Sequence, residues 1–175
     1  MNHVIELPLD AERTRKLKMG DEVYLNGSLL VARDQAHSRL AEDLRQRINL
    51  PVEISGQTVF YMGPAPAPEG RVIGSCGPTT SARMDRYTPV LLASGLLGMI
   101  GKGPRSKEVA VAVVEHKAVY FAAFGGCGAL YAECVTKVEL LAYADLGPEA
   151  LYRITVKDFP VITAIDAKGG NIYLR

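Results

Sequence analysis

Cysteine is scarce in this sequence, and the little present forms no metal or disulfide pattern: Cys76, Cys127 and Cys134 are odd in number and show no Cys-x-x-Cys spacing. A disulfide framework, a structural zinc or a ferredoxin-type cluster is therefore not expected from these residues. Cysteines of this kind are ordinarily reduced, small and buried. Net charge is equally scant. The 20 Lys and Arg against 19 Asp and Glu leave +1, which predicts no nucleic-acid footprint, and 48% hydrophobic residues exclude a disordered chain. No run of about eighteen apolar residues is present, so no membrane-crossing helix is expected. Met1-Asn-His-Val-Ile-Glu-Leu-Pro carries no basic segment followed by a long apolar stretch, which predicts no secretory signal and a cytoplasmic location. A length of 175 residues suits one domain with a proper core, read as 1–175.

What is present centres on Ser75-Cys76-Gly77-Pro78-Thr79-Thr80-Ser81-Ala82-Arg83-Met84-Asp85, answered downstream by Gly101-Lys102-Gly103. A glycine allows a sharp turn, a proline fixes it, and three hydroxyls read as a helix start. The first turn of a helix leaves backbone N–H groups free and carries partial positive charge, so an anion pocket is expected here. Arg83 follows Thr79 by four residues, on the same face if the segment is helical, and its planar fork suits a carboxylate or phosphate. A plainer reading has Thr79 to Ser81 capping a helix and Arg83 as a solvated charge. Gly-Lys-Gly does not complete a Walker loop, because Leu96 and Gly103 stand where that loop needs Gly and Ser or Thr.

The remaining chain alternates in period. Strands are expected over 4–9, 22–25, 28–32, 57–62, 96–100, 118–124, 137–142, 152–156, 161–166 and 172–174, with Asn26-Gly27 as a hairpin turn and 14–19 as a basic connector. Ala36, Leu40, Ala41, Leu44 and Ile48 recur at helical spacing after Asp34, the natural cap. Arg33 then sits beside a helix N-terminus, where the macrodipole disfavours a cation and a bound anion would relieve the conflict. Thr88-Pro89 reads as a helix start, 129–134 as a short helix and 148–151 as a helical turn. Gly125-Gly126-Cys127-Gly128 falls short of a dinucleotide fingerprint because Tyr131 holds the third glycine position. Strands alternating with helices, then a strand-rich end, predict an α/β domain with a mixed sheet.

The signature 77–85 followed by Ile100-Gly-Lys-Gly103 resembles that of the C-terminal domain of class I iron–sulfur fumarate hydratases, a domain that forms a separate beta subunit in split enzymes and in L-tartrate dehydratases. The resemblance extends to Ala32-Arg-Asp-Gln-Ala-His37, the stretch 120–130, Gly147-Pro-Glu-Ala150 and Val156-Lys-Asp-Phe-Pro160. It implies a swivelling β/β/α architecture, three layers made of two sheets and helices, and a helix over 109–114 despite its β-branched residues. It implies reversible hydration of fumarate to L-malate, with Arg33, Thr80, Arg83 and Lys102 holding the dicarboxylate and Thr79 as the base at carbon. The implied Lewis acid is a [4Fe-4S] cluster on a partner alpha subunit, since this sequence lacks the cysteines for one, and the implied assembly is alpha2beta2. Dehydration of tartrate and a nonenzymatic anion-binding module are the other expectations. A cysteine hydrolase would need Cys76 or Cys127 beside His37 or His116.

Overall fold

In the computed structural model, which describes residues 1–174, one mixed sheet of seven strands is flanked by helices. In chain order the elements are β1 (Asn2–Glu6), α1 (Ala11–Lys16), β2 (Glu22–Val31), α2 (Asp34–Arg45), β3 (Thr58–Phe60), α3 (Thr88–Ala93), β4 (Gly98–Gly101), α4 (Lys107–Glu115), β5 (Val119–Ala122), α5 (Gly128–Glu133), β6 (Val135–Ala142) and β7 (Leu151–Ile165). Two 3-10 turns, Ser81–Met84 and Ala144–Glu149, complete them.

β2, β3, β4 and β5 run parallel in that order, β7 pairs antiparallel with β5, and β7 pairs again with β2. The five strands thus close on themselves. Side-chain alternation builds two cores from this ring. Leu29 and Val31, Phe60, Ile100, Val119 and Phe121 point inward with Phe159 and Val161 of β7. Their neighbours Leu30, Val59, Met99 and Tyr120 face outward onto Leu40 of α2, Leu91 and Leu92 of α3, and Val109 and Val113 of α4. Strand, strand and helix layers follow the expected three-layer plan. The two strand layers are continuous through β2 and β7 rather than separate sheets.

Several local expectations differ. Asn26-Gly27 does not turn a hairpin; β2 runs straight through it, because β1 holds one edge in parallel and β7 the other. Gly27, at φ 110, forms a bulge there instead, and Asn26 accepts from Asp158 N at 2.8 Å and donates to Glu6 at 3.0 Å. Opposite that bulge Asp158 takes φ 51, so the two expected closing strands are one strand, β7. The expected connector contains helix α1, started by Asp10, whose carboxylate accepts from Arg13 N at 2.8 Å. No strand forms at 172–174. The Asp166 carboxylate accepts from Met19 N, Lys168 N and Gly170 N, which folds the chain tightly, and Asn171 makes an isolated bridge to Ile165. The helix over 109–114 is present, with Ser106 Oγ accepting from Val109 N at 3.3 Å.

α2 carries a polar clasp along one face. Gln35, Arg39 and Asp43, spaced four apart, bond Glu149, Asp145 and Tyr143, respectively. The 3-10 turn Ala144–Glu149 is thereby laid along the helix, bringing Glu149 to its N-terminal end.

His37, one turn into α2, is fully enclosed, its ring 5.2 Å from that of Tyr61 and its Nδ1 2.8 Å from the Arg33 carbonyl oxygen. Burial pulls its pKa from 6.5 down to about 4, against the hydrogen bond to Arg33. The unfolded chain therefore takes up this proton near 6.5 and the folded one only near 4. Stability is full above 6.5, falls as the pH drops through that window by about 3 kcal/mol, and levels off below it. Urea unfolding between these pH values is expected to show that slope, and His37→Gln, which can still donate to Arg33, to flatten it; an equal slope in the variant would show that other groups carry the effect.

Candidate functional site

The parallel run of β2 to β5 places four carboxy-terminal strand ends on one edge, the side where parallel α/β folds, open or closed, gather their ligand-binding loops. Arg33 follows β2, Gly63 follows β3, Lys102 follows β4 and Gly125 follows β5. The signature segment crosses this edge. Thr79 N donates to Tyr61 O at 2.7 Å, Thr80 bridges Lys102 in parallel, Ser81 N donates to Lys102 O at 3.0 Å, and Cys76 N donates to Gly128 O at 3.1 Å. Arg33, Thr79, Thr80, Arg83 and Lys102 are in this way brought to one rim.

That crossing explains why the helix start is not where the hydroxyls suggest. The chain is held extended through Thr79 and Thr80, its Thr79 and Ser81 N–H groups are already bonded, and a 3-10 turn begins only at Ser81 without a side-chain cap. Thr79 therefore lies outside any helix, gains nothing from a macrodipole, and shares no helical face with Arg83. Arg83 reaches α2 instead. Its Nε donates to Asp34 Oδ1 at 3.0 Å, and its Nη2 lies 2.8 Å from Oδ2 as an ion contact. Asp34 is consequently not the cap of α2; Arg33 holds that position, with no side-chain cap bond.

Arg33 packs over Gly63, where a Cβ would come within 2.7 Å of its Nη1. Its Nε lies 3.7 Å from Glu149 Oε1, too far for a hydrogen bond, and is buried with no partner. An orphaned charged donor of this kind is costly. Lys102 is exposed, its Nζ passing beside Gly125, and Gly103 turns the chain at φ 83. Gly101 serves packing instead, since a Cβ there would overlap Ser81 Oγ and the close approach of the signature to β4 requires its absence.

Beneath the rim lies Arg105, a residue that no pattern in the sequence singles out. Its side chain has no exposed surface. Nε donates to Asp85 at 2.6 Å and Nη2 to Thr88 Oγ1 at 2.8 Å, and the guanidinium sits 5.3 Å from the ring centre of Tyr61 and 4.9 Å from that of Tyr120. Asp85 also accepts from Ser106 N at 2.7 Å, while the Tyr120 hydroxyl accepts from Ser81 and donates to Gly103 O at 2.8 Å. Arg83 and Lys102 thus ride on two loops that one buried pair ties together. Glu149 and Asp34 were likewise not legible as partners of the two arginines, though both lie within stretches that carry the family pattern.

Cys76 is a poor nucleophile, since burial pushes its thiol up to about 12; burial also raises that of Cys134, and His37 is sealed in the core.

Residues 2–175 match the family model described as Fumarase C-terminus. The chain is 38% identical over 175 residues to "Fumarate hydratase 2" of Leishmania major, covering 98% of this chain and 31% of that protein. It is 40% identical over 151 residues to "Fumarate hydratase class I, aerobic" of Escherichia coli (strain K12), covering 85% of this chain and 28% of that protein. These relatives are therefore about three times as long as the chain. A protein of Methanocaldococcus jannaschii named "Putative L(+)-tartrate dehydratase subunit beta" is 38% identical over 171 residues, and the match covers 94% of this chain and 88% of that protein.

The two classes of arginine are expected to separate by stability. Arg105→Met removes a fully enclosed cation and leaves Asp85, 14% exposed, without it; this is expected to cost about 3 kcal/mol in urea unfolding, whereas Arg83→Met, at a half-exposed pair, costs about 1 kcal/mol or less; equal losses would contradict this division.

Proposed function

The chain belongs to the fumarase C-terminus family, and from that premise we propose that it is the beta subunit of a two-subunit iron–sulfur hydro-lyase that interconverts fumarate and L-malate. The observation that carries the reading is the gathering of Arg33, Arg83 and Lys102 on the carboxy-terminal rim of four parallel strands, with the buried Arg33 Nε lacking a partner. Two substrate carboxylates need two separate groups of cations, and the rim offers Arg33 after β2 apart from Arg83 and Lys102 on their cross-linked loops. Arg33, Arg83 and Lys102 neutralise the carboxylates, and the Thr80 hydroxyl adds a neutral hydrogen bond. Thr79 removes the proton from the neighbouring carbon. A neutral threonine is a weak base, and with no helix terminus at Thr79 the rim cations alone favour its alkoxide.

Loss of the hydroxyl needs an acid to take it up, and in this reading that role falls to a Lewis acid. The residues of this chain do not fit a cluster: Cys76 is buried with its thiol pushed up to about 12, and among the described residues no three His, Cys, Asp or Glu side chains gather as a metal site. In this reading a partner alpha subunit carries the [4Fe-4S] cluster and closes over the rim, the pair assembles as alpha2beta2 in the cytoplasm, and 1–175 acts as a single unit. Among the described residues no helix is long and apolar enough to cross a membrane.

A second reading, tartrate dehydration to oxaloacetate, draws support from the Methanocaldococcus jannaschii relative, of which this chain covers 88%. The same rim would serve either four-carbon dicarboxylate. Anaerobic co-purification with the candidate alpha subunit, followed by rates on L-malate and tartrate, distinguishes them. Malate turnover is expected, with kcat/KM falling about 100-fold in Arg83→Ala. Tartrate turnover instead keeps the site and changes the substrate. No turnover on either, with a loaded cluster, defeats the enzymatic reading in favour of an anion-binding module.

A further inference from the structure

Asp34 occupies an unusual place. It stands in the first turn of α2, where a carboxylate is favoured by the dipole, yet its side chain caps nothing. It turns instead to Arg83, across 49 positions of sequence, accepting a hydrogen bond from Nε at 3.0 Å on Oδ1, while Oδ2 lies 2.8 Å from Nη2 as an ion contact without hydrogen-bond geometry. Arg83 needs such a partner more than most arginines. It projects from a four-residue 3-10 turn, its side chain is 49% exposed, and about 2 kcal/mol of rotamer entropy opposes any single orientation. The Asp34 carboxylate is less exposed, at 23%, and is fixed to the end of a twelve-residue helix.

We propose that Asp34 is a positioning residue for the reaction proposed above: it engages one edge of the Arg83 guanidinium and holds the Nη1 edge toward the rim, ready for a substrate carboxylate. The inference rests on that functional reading for its ligand, while the Asp34 to Arg83 contact stands independently. The same dipeptide then does two things, since Arg33 supplies one cation and Asp34 aims another. A negative charge beside an anion site also repels the ligand, so the two effects have opposite signs. Orientation prevails if removing the charge weakens substrate binding, and repulsion prevails if removal strengthens it.

The test uses the assembled enzyme with L-malate and tartrate, and compares wild type, Asp34→Asn, Arg83→Ala and the double variant. Asp34→Asn keeps the shape and one acceptor oxygen. It is expected to raise KM about tenfold with kcat changed less than about threefold, and to add less than about twofold to the kcat/KM loss of Arg83→Ala. A loss that persists undiminished without Arg83, a fall in kcat at constant KM, or a lowered KM would each overturn the proposal. A second readout needs no activity: the Arg83 Nε–H signal in a proton–nitrogen spectrum of this chain is expected to shift and exchange faster in Asp34→Asn, and an unchanged signal would overturn the contact. If the wild-type assembly turns over neither substrate, the hydro-lyase reading fails, and with it the positioning role, while the spectrum still decides whether Asp34 holds Arg83.

Discussion

A guanidinium with no exposed surface must have its charge and donors answered by protein, and Arg105 imposes that demand on everything around it. Asp85, Thr88 and the rings of Tyr61 and Tyr120 meet it. Each of those residues sits on a different piece of the rim's support: the end of the signature, the start of α3, and the chain on and beside β3 and β5. The loops bearing Arg83 and Lys102 are not loose excursions. They are two arms of one buried cross-link, which keeps the exposed cations on a rigid base.

On the rim itself each of the two arginines is already given a carboxylate of the chain, Asp34 to Arg83 and Glu149 to Arg33. The two pairings are unequal. Arg83 is engaged closely, whereas Arg33 faces Glu149 at 3.7 Å with its Nε unbonded. In the proposed reading, a dicarboxylate at this face would meet one cation held in place and another still short of a hydrogen bond. The polar clasp along α2 brings Glu149 to that position, so the helix both starts beside the site and anchors the segment that flanks it.

How far the sequence disclosed this depends on the range of the interactions involved. The helical spacing of Ala36, Leu40 and Ala41 is local and was legible, whereas the helix of α4, rich in β-branched residues, was expected only through the family resemblance. Asn26-Gly27 has the chemistry of a hairpin turn, but two paired edges overrode it, a tertiary effect no local pattern reveals. The three hydroxyls of the signature misled for the same reason, since pairing with Tyr61 and Lys102 delays the helical turn to Ser81. Arg33, Arg83 and Lys102 were singled out through family resemblance and their charge. Arg105 and the partners Asp34 and Glu149 depend on contacts between segments far apart in the chain, and nothing in their neighbours' identity announces them.

The most direct measurement is a crystal structure of the assembled enzyme with succinate, a four-carbon dicarboxylate that cannot undergo the elimination. Density is expected on the rim, with its carboxylates about 3 Å from donors of Arg33, Arg83 and Lys102 and with the Asp34 to Arg83 contact retained. Succinate bound elsewhere, with Arg33 still facing only Glu149 and Arg83 free of ligand, would contradict the assignment of this rim as the dicarboxylate site.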